Sequence, residues 1–149
     1  MKKELLVVVI EDDPVYSLLL SRYLRGNLDC KVTRFDNAIS CLHTADLHPD
    51  LVFIDLMMRD MDGLRASKVL RRKWKNAGIV LMSSNDKVFR LNPKLYGVDL
   101  AVSKDVAIKE IIRRGLRVLR MRRIKRWLPM MFSVMLVAAL LFSLFLAFI

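Results

Sequence analysis

The amino-acid sequence predicts an α/β domain, a doubly wound five-stranded parallel sheet, followed by one C-terminal transmembrane helix. Three observations predict it. Short runs of Val, Ile and Leu alternate with stretches of helical spacing, the pattern of strands buried on both faces and joined by crossover helices. Polar residues gather where those runs stop rather than inside them. The last 23 residues, Trp127 to Ile149, carry no charge.

The elements follow in order. "LLVVVI" (5–10) reads as the first strand and gives way at once to Glu11, Asp12 and Asp13. Asp13 is placed to cap the next helix, "DPVYSLLLSRYLR" (13–25), with Pro14 in its first turn and Gly26 as its break. "CKVTRF" (30–35) is a second strand and "DNAISCLHTA" (36–45) a second helix. "PDLVFID" (49–55) is a strand ending in Asp55, "MDGLRASKVLRRKW" (61–74) a helix, and "AGIVLMSS" (77–84) a strand ending in serines. A short Pro-containing helix is predicted around "DKVFRLNPKLYG", before a fifth strand, "VDLAVSK" (98–104). From Asp105 onward Ile108, Ile111, Ile112, Leu116 and Leu119 recur at helical spacing.

Charge divides the 149 residues further: Lys and Arg number 26 against 15 Asp and Glu, yet the excess is local. Residues 1–110 hold 18 basic and 15 acidic side chains, while 111–126 add eight basic ones and no acid. The predicted organisation is a folded domain over 1–115, a basic juxtamembrane helix or linker over 116–126 and a transmembrane tail anchor over 127–149. Cys30 and Cys41 are too few for a disulfide framework and read as reduced thiols. The apolar run of "MKKELLVVVI" is six residues and ends in acids, too short for a secretory signal.

In a doubly wound sheet, sites lie at the carboxyl ends of the strands. Those ends carry Glu11 and Asp12 on the first strand, Asp55 on the third, Ser83 on the fourth and Lys104 on the fifth. Three crowded carboxylates raise one another's pKa and stay ionised only beside a cation. A small set of hard oxygen donors, with room for water and phosphate, suits Mg²⁺. With Mg²⁺ bound, Asp55 can serve as a carboxylate nucleophile toward phosphorus, while Lys104 and Ser83 hold phosphoryl oxygens. No His or Cys stands at these ends to suggest a hydrolase or protease. His43 and His48 fall away from that edge and read as surface residues, and Met57, Met58 and Met61 as packing and loop.

The stretches "LLVVVIEDDP", "PDLVFIDLMMRDMDG", "IVLMSS" and "GVDLAVSKD" resemble the receiver domain of bacterial two-component response regulators, over residues 4 to about 115. The resemblance implies the receiver type of flavodoxin-like fold. It also implies a phosphoacceptor, Asp55, that is not an enzyme in its own right but assists its own phosphotransfer and dephosphorylation. A histidine kinase or phosphotransfer protein would supply the phosphoryl group. Asp12, Asp55 and the backbone carbonyl of Met57 would ligate Mg²⁺, Glu11 would support the metal through water, and Ser83 and Lys104 would read the phosphoryl group. Four residues depart from the family pattern. Arg59 and Asp105 stand where Pro is common, Ser83 replaces the more frequent Thr, and Ala101 replaces an aromatic three residues before Lys104. Ala101 is the feature that favours an alternative, a receiver-like adaptor that binds a membrane partner regardless of phosphate.

As a helix the uncharged tail rises about 35 Å, enough for a hydrocarbon core of roughly 30 Å. Trp127 suits the interface, and Pro129 fits the first turn of such a helix. Eight basic residues before it place that side in the cytoplasm, so the sequence predicts a single-pass inner-membrane protein with its domain in the cytoplasm. The basic run lacks aromatic interleaving, which argues against nucleic acid and for anionic lipid at residues 113–126. Ala139, Ser143 and Ala147 recur every four residues, a spacing that lets two tails pack as a homodimer. The expected reading is a membrane-tethered, single-domain regulator whose output is contact with a downstream protein.

Overall fold

The structure is a computed structural model that describes residues 4–44, 46–84 and 92–147. Five parallel strands, β1 (Leu5–Ile10), β2 (Cys30–Phe35), β3 (Leu51–Asp55), β4 (Gly78–Ser83) and β5 (Leu100–Ser103), form one sheet in the order β2-β1-β3-β4-β5. Among the described residues four α-helices accompany them: α1 (Pro14–Asn27), α2 (Ala38–His43), α3 (Gly63–Lys73) and α4 (Ile108–Ala147). This is the doubly wound arrangement the alternation predicts. The fourth predicted helix is met by a 3-10 helix at Pro93–Tyr96; residues 86–91 of that prediction lie outside the described residues.

Both faces of the sheet are covered, which is why its strands are continuously apolar. Val8, Ile10, Val52, Ile54, Ile79 and Leu81 face α2 and α3, where Ala66, Leu70 and Trp74 close the layer. Val7, Val9, Phe53, Val80 and Met82 face α1 and α4 through Leu20, Leu24, Ile111 and Ile112. The Asp13 carboxylate caps α1 as predicted, accepting from the amides of Val15 at 2.8 Å and Tyr16 at 3.2 Å. Gly26 does not end that helix. One more residue, Asn27, continues it, and the amide of Leu28 still reaches the carbonyl of Leu24 at 2.9 Å.

Helix α4 runs antiparallel to the strands. It starts beyond the carboxyl end of β5 and crosses the sheet where Gly115 faces Phe53; a Cβ there would lie 2.6 Å from the Phe53 ring, so glycine permits the close approach. It leaves at the amino-terminal edge of the sheet, where Arg122 meets Asp99, the residue before β5, and Arg123 stands 3.8 Å from Asp50, the residue before β3. The basic segment is therefore partly spent on the domain. Arg113 and Arg114 pair with Glu110, while Arg122 and Arg123 pair with the sheet edge.

Beyond Arg126 the same helix continues without a break, and its described side chains from Trp127 to Leu144 are exposed. That exposure separates it from the core helix of a globular domain, and α4 is long and apolar enough to cross a membrane. Pro129, expected in a first helical turn, lies well inside α4 instead. Proline donates no amide hydrogen, so the carbonyl of Lys125 lacks its usual helical partner at that point. Ala139 and Ser143 lie on this helix; the Ala147 side chain, and with it the third point of the small-residue repeat, lies outside the described residues.

Candidate functional site

Amides just beyond the strand ends tie the carboxyl ends of β1 to β2, β3 to β4 and β5 to β4. Glu11 N–H donates to Phe35 O at 3.0 Å, Leu56 N–H to Met82 O at 2.8 Å and Lys104 N–H to Ser83 O at 2.8 Å. In register, Asp55 stands opposite Met82 and Ser83 opposite Ser103, which brings the residues that follow each strand to one edge. Glu11, Asp12 and Asp55 converge there: one carboxylate oxygen from each lies within 4.8 Å of the others. Glu11 and Asp55 are buried, and Asp12 lies partly open to solvent.

The cation that three carboxylates require is partly supplied by the chain itself. Lys104 Nζ sits 2.8 Å from Glu11 Oε2 and 2.9 Å from Asp55 Oδ1. Burial lowers the Lys104 pKa, but hydrogen bonds to Glu11 and Asp55 outweigh it, so the ammonium stands above the ordinary lysine value. Burial pushes the Glu11 carboxyl up to about 7; the Lys104 hydrogen bond opposes this and the Asp55 charge adds to it. One ammonium thus stands among three acids, a set still two charges short of neutrality. Arg59 adds little: its side chain is 93% exposed and its Nε stands 3.8 Å from Asp12 Oδ2.

Oxygen donors alone, clustered at this spacing and short of positive charge, fit a hard divalent cation such as Mg²⁺ better than a softer metal. Ser83 is buried at the end of β4, beside this edge. Met57 follows β3 with its side chain 69% exposed, so only its backbone is suited to an inward role.

Two contributors were not evident from the strand ends. Tyr16, in the first turn of α1, has its ring 4.8 Å from Lys104 Nζ, over which the ammonium lies. Burial first, then the charges of Glu11, Asp55 and Asp105, push its phenol up to about 12. The signal for it was available: a residue three places after the cap of a helix that starts at the site edge faces back toward that edge. Gly63 is the other. A Cβ there would sit 2.1 Å from the carbonyl oxygen of Asp55, so only glycine lets the start of α3 press against the backbone of that residue. Asp62 caps α3 next to it, donated to by Leu64 N–H at 2.6 Å. His43 and His48 are exposed away from this edge, and the two cysteines are free thiols.

Known proteins agree with this geometry. Residues 7–115 match the family model described as the response regulator receiver domain. The chain is 30% identical over 108 residues to the DNA-binding response regulator MtrA of Mycolicibacterium smegmatis, covering 72% of this chain but only 47% of MtrA. It is 26% identical over 110 residues to protein PilG of Pseudomonas aeruginosa, covering 71% of this chain and 81% of PilG. Among solved structures, the response regulator TrrA of Thermotoga maritima in complex with Mg²⁺–BeF superposes with a TM-score of 0.69 at 22% identity. That match covers 76% of this chain and 98% of TrrA, a likeness of fold.

Proposed function

Because the chain belongs to the response regulator receiver family of two-component systems, we propose that it is a membrane-tethered phosphate switch, with Asp55 the acceptor. The observation that carries this reading is one cluster: three carboxylates within 4.8 Å of one another, with Lys104 2.9 Å from Asp55. Receiver domains bind Mg²⁺ at an acidic pocket of this kind and exchange phosphate with histidine kinases or phosphotransfer proteins. Here Glu11, Asp12, Asp55 and the Met57 carbonyl would hold Mg²⁺, which when bound offsets charge on the phosphoryl oxygens.

The chain's own groups account for the rest. Lys104 takes Oδ1 of Asp55, which leaves Oδ2 as the oxygen that attacks phosphorus. The bond from phosphorus to the donor breaks as the new P–O bond forms, and the donor's imidazole leaves. Lys104 then exchanges a carboxylate oxygen for a phosphoryl oxygen, and the Ser83 hydroxyl donates to another. Tyr16 limits where the ammonium can go, since its ring covers one side. No chemistry beyond this transfer and hydrolysis of the acyl phosphate, which returns the Asp55 carboxylate and releases inorganic phosphate, is required of the domain, which therefore acts as a phosphoacceptor and not as a dedicated enzyme.

Output would come through protein contacts that shift with phosphorylation. The uncharged part of α4 would cross the inner membrane, with the basic side in the cytoplasm. Ala101 supports the competing reading of a phosphate-independent adaptor, because it lacks the ring that would move in a switch. Incubating the chain with Mg²⁺ and acetyl phosphate decides between them. Wild type is expected to gain an alkali-labile phosphate that Asp55→Asn does not gain; no gain in wild type would leave the adaptor. Carbonate extraction of membranes tests the tether, since the full chain should stay in the pellet.

A further inference from the structure

The amino-terminal edge of the sheet, opposite the carboxylate cluster, holds a cavity of about 360 Å³ between the end of α3, the start of β3 and α4. Five of its lining residues are cations, Lys73, Lys75, Arg122, Arg123 and Arg126, and one is a carboxylate, Asp50. Five against one leaves a formal charge of +4. We propose that this cavity binds the anionic phosphate headgroup of a membrane phospholipid; the inference rests on the tethered reading above and names a partner for it.

The hydrogen bonds sort the cations into those already used and those available. Lys73 Nζ donates to the carbonyls of Leu42 at 2.5 Å and Thr44 at 2.6 Å, so it is committed to α2. Arg122 is committed to Asp99 and to the carbonyl of Lys75. Arg123 is only loosely held, 3.8 Å from Asp50. Lys75 and Arg126 have no acidic partner among the described residues, and Arg126 instead lies 5.9 Å from the Trp127 ring. The committed pair shapes the cavity, and the uncommitted cations give it an unmet demand for an anion.

Position decides which anion. Arg126 directly precedes the uncharged stretch, and Arg122 stands four residues earlier, about 6 Å along the helix axis. The headgroup layer on each side of a hydrocarbon core is roughly 5–8 Å thick. The α4 side of the cavity therefore lies at the depth of the lipid phosphates. Arg113 and Arg114 lie about 20 Å from Trp127 along the same axis, beyond the Debye length of about 8 Å, so the bilayer does not account for them. The lipid contact is thus narrower than the whole basic segment.

The test uses the full chain in a nonionic detergent, with retained lipid read by native mass spectrometry. Phosphatidylglycerol is compared with phosphatidylcholine, and inorganic phosphate is added as a competitor. Two double variants remove equal charge: Lys75→Gln with Arg126→Gln at the cavity, and Arg117→Gln with Arg120→Gln on α4 away from it. Wild type is expected to retain phosphatidylglycerol over phosphatidylcholine, the cavity pair to lose it about tenfold, and the control pair to stay within twofold. Equal loss in both pairs overturns the site in favour of diffuse attraction. Full displacement by millimolar phosphate overturns the lipid in favour of a free anion, and equal retention of the two lipids overturns the headgroup. Carbonate extraction of the wild-type chain separates the two readings. Release from the membrane would sink the tether and this site with it, whereas retention with unselective lipid loss would sink the site alone.

Discussion

The two edges of the sheet are built as opposites. At the carboxyl edge Glu11, Asp12 and Asp55 surround one ammonium, Lys104; at the amino edge Asp99 sits between two guanidiniums, Arg71 at 2.7 Å and Arg122 at 2.6 Å. In both, a minority charge bridges a majority of the other sign. The difference lies in what remains unbalanced. The carboxyl edge is short of cations and open at Asp12, whereas the Asp99 cluster is closed by further bonds. Arg71 donates to the carbonyls of Gly97 and Ala77, and Ile79 N–H donates to Asp99. The Asp99 arrangement fixes α4, while the carboxyl edge keeps charge unmatched, as the proposed exchange of a ligand requires.

Removing each bridging residue should break that contrast in different ways. Lys104→Met is expected to slow phosphorylation of Asp55 by acetyl phosphate about 100-fold, the scale of losing one electrostatic donor at a reacting oxygen. A change under threefold would show that Lys104 merely neutralises charge. Asp99→Ala leaves Arg71 and Arg122 facing each other with no means of discharging, and the expected cost is about 3 kcal/mol in denaturant unfolding. A cost below about 1 kcal/mol would mean that water already serves both guanidiniums.

Acidity separates the edges as well. The folded pKa of Glu11, about 7, stands above its ordinary value of 4.5. A raised pKa contributes stability that is whole below the unfolded value and is lost as pH rises through the folded one. Without Mg²⁺ the chain should therefore lose roughly 1 kcal/mol per pH unit at most between about pH 5 and 7. Lys104 titrates above this window and does not contribute to the slope. Mg²⁺ at pH 8 should restore the loss, and unfolding curves at three pH values with and without EDTA would reveal it; a flat metal-free profile would refute the burial argument. The smallest effect belongs to Arg59→Ala, which should raise Mg²⁺ affinity about twofold, since an exposed pair is worth a few tenths of a kcal/mol. Calorimetric titration of Mg²⁺ measures it, and a tenfold gain would mean that Arg59 guards the site.

The carboxyl edge was legible in the sequence and the amino edge was not, for a physical reason. Strands such as "LLVVVI" and "PDLVFID" are covered on both faces, so their runs of Val, Ile and Leu announce them, and the fold then fixes where Glu11, Asp55 and Lys104 must meet. Asp99 bonds to residues 28 and 23 positions away, on a helix face and within a basic run, and no spacing rule links such partners. Arg122 accordingly read as one more juxtamembrane charge. Tyr16 and Gly63 act through the phase and closeness of helices packed on the sheet, which depend on tertiary distances. Pro129 was misplaced for another reason: proline suits a helix start, and its neighbours' composition does not show that the helix carrying Ile111, Ile112 and Leu119 runs on through it.

That unbroken α4 makes the molecule a lever. It spans 40 residues, about 60 Å, of which roughly the first third is clamped to the sheet. A tilt of about 5° in the clamped part, the scale of a small repacking, would carry the far tip sideways by about 3–4 Å over the remaining 40 Å. In a bilayer such a swing is resisted by lipid, so the displacement would return to the domain as torque on Asp99 and Arg122. Chemistry at Asp55 and mechanics at the membrane would then bear on the same rod from its two ends.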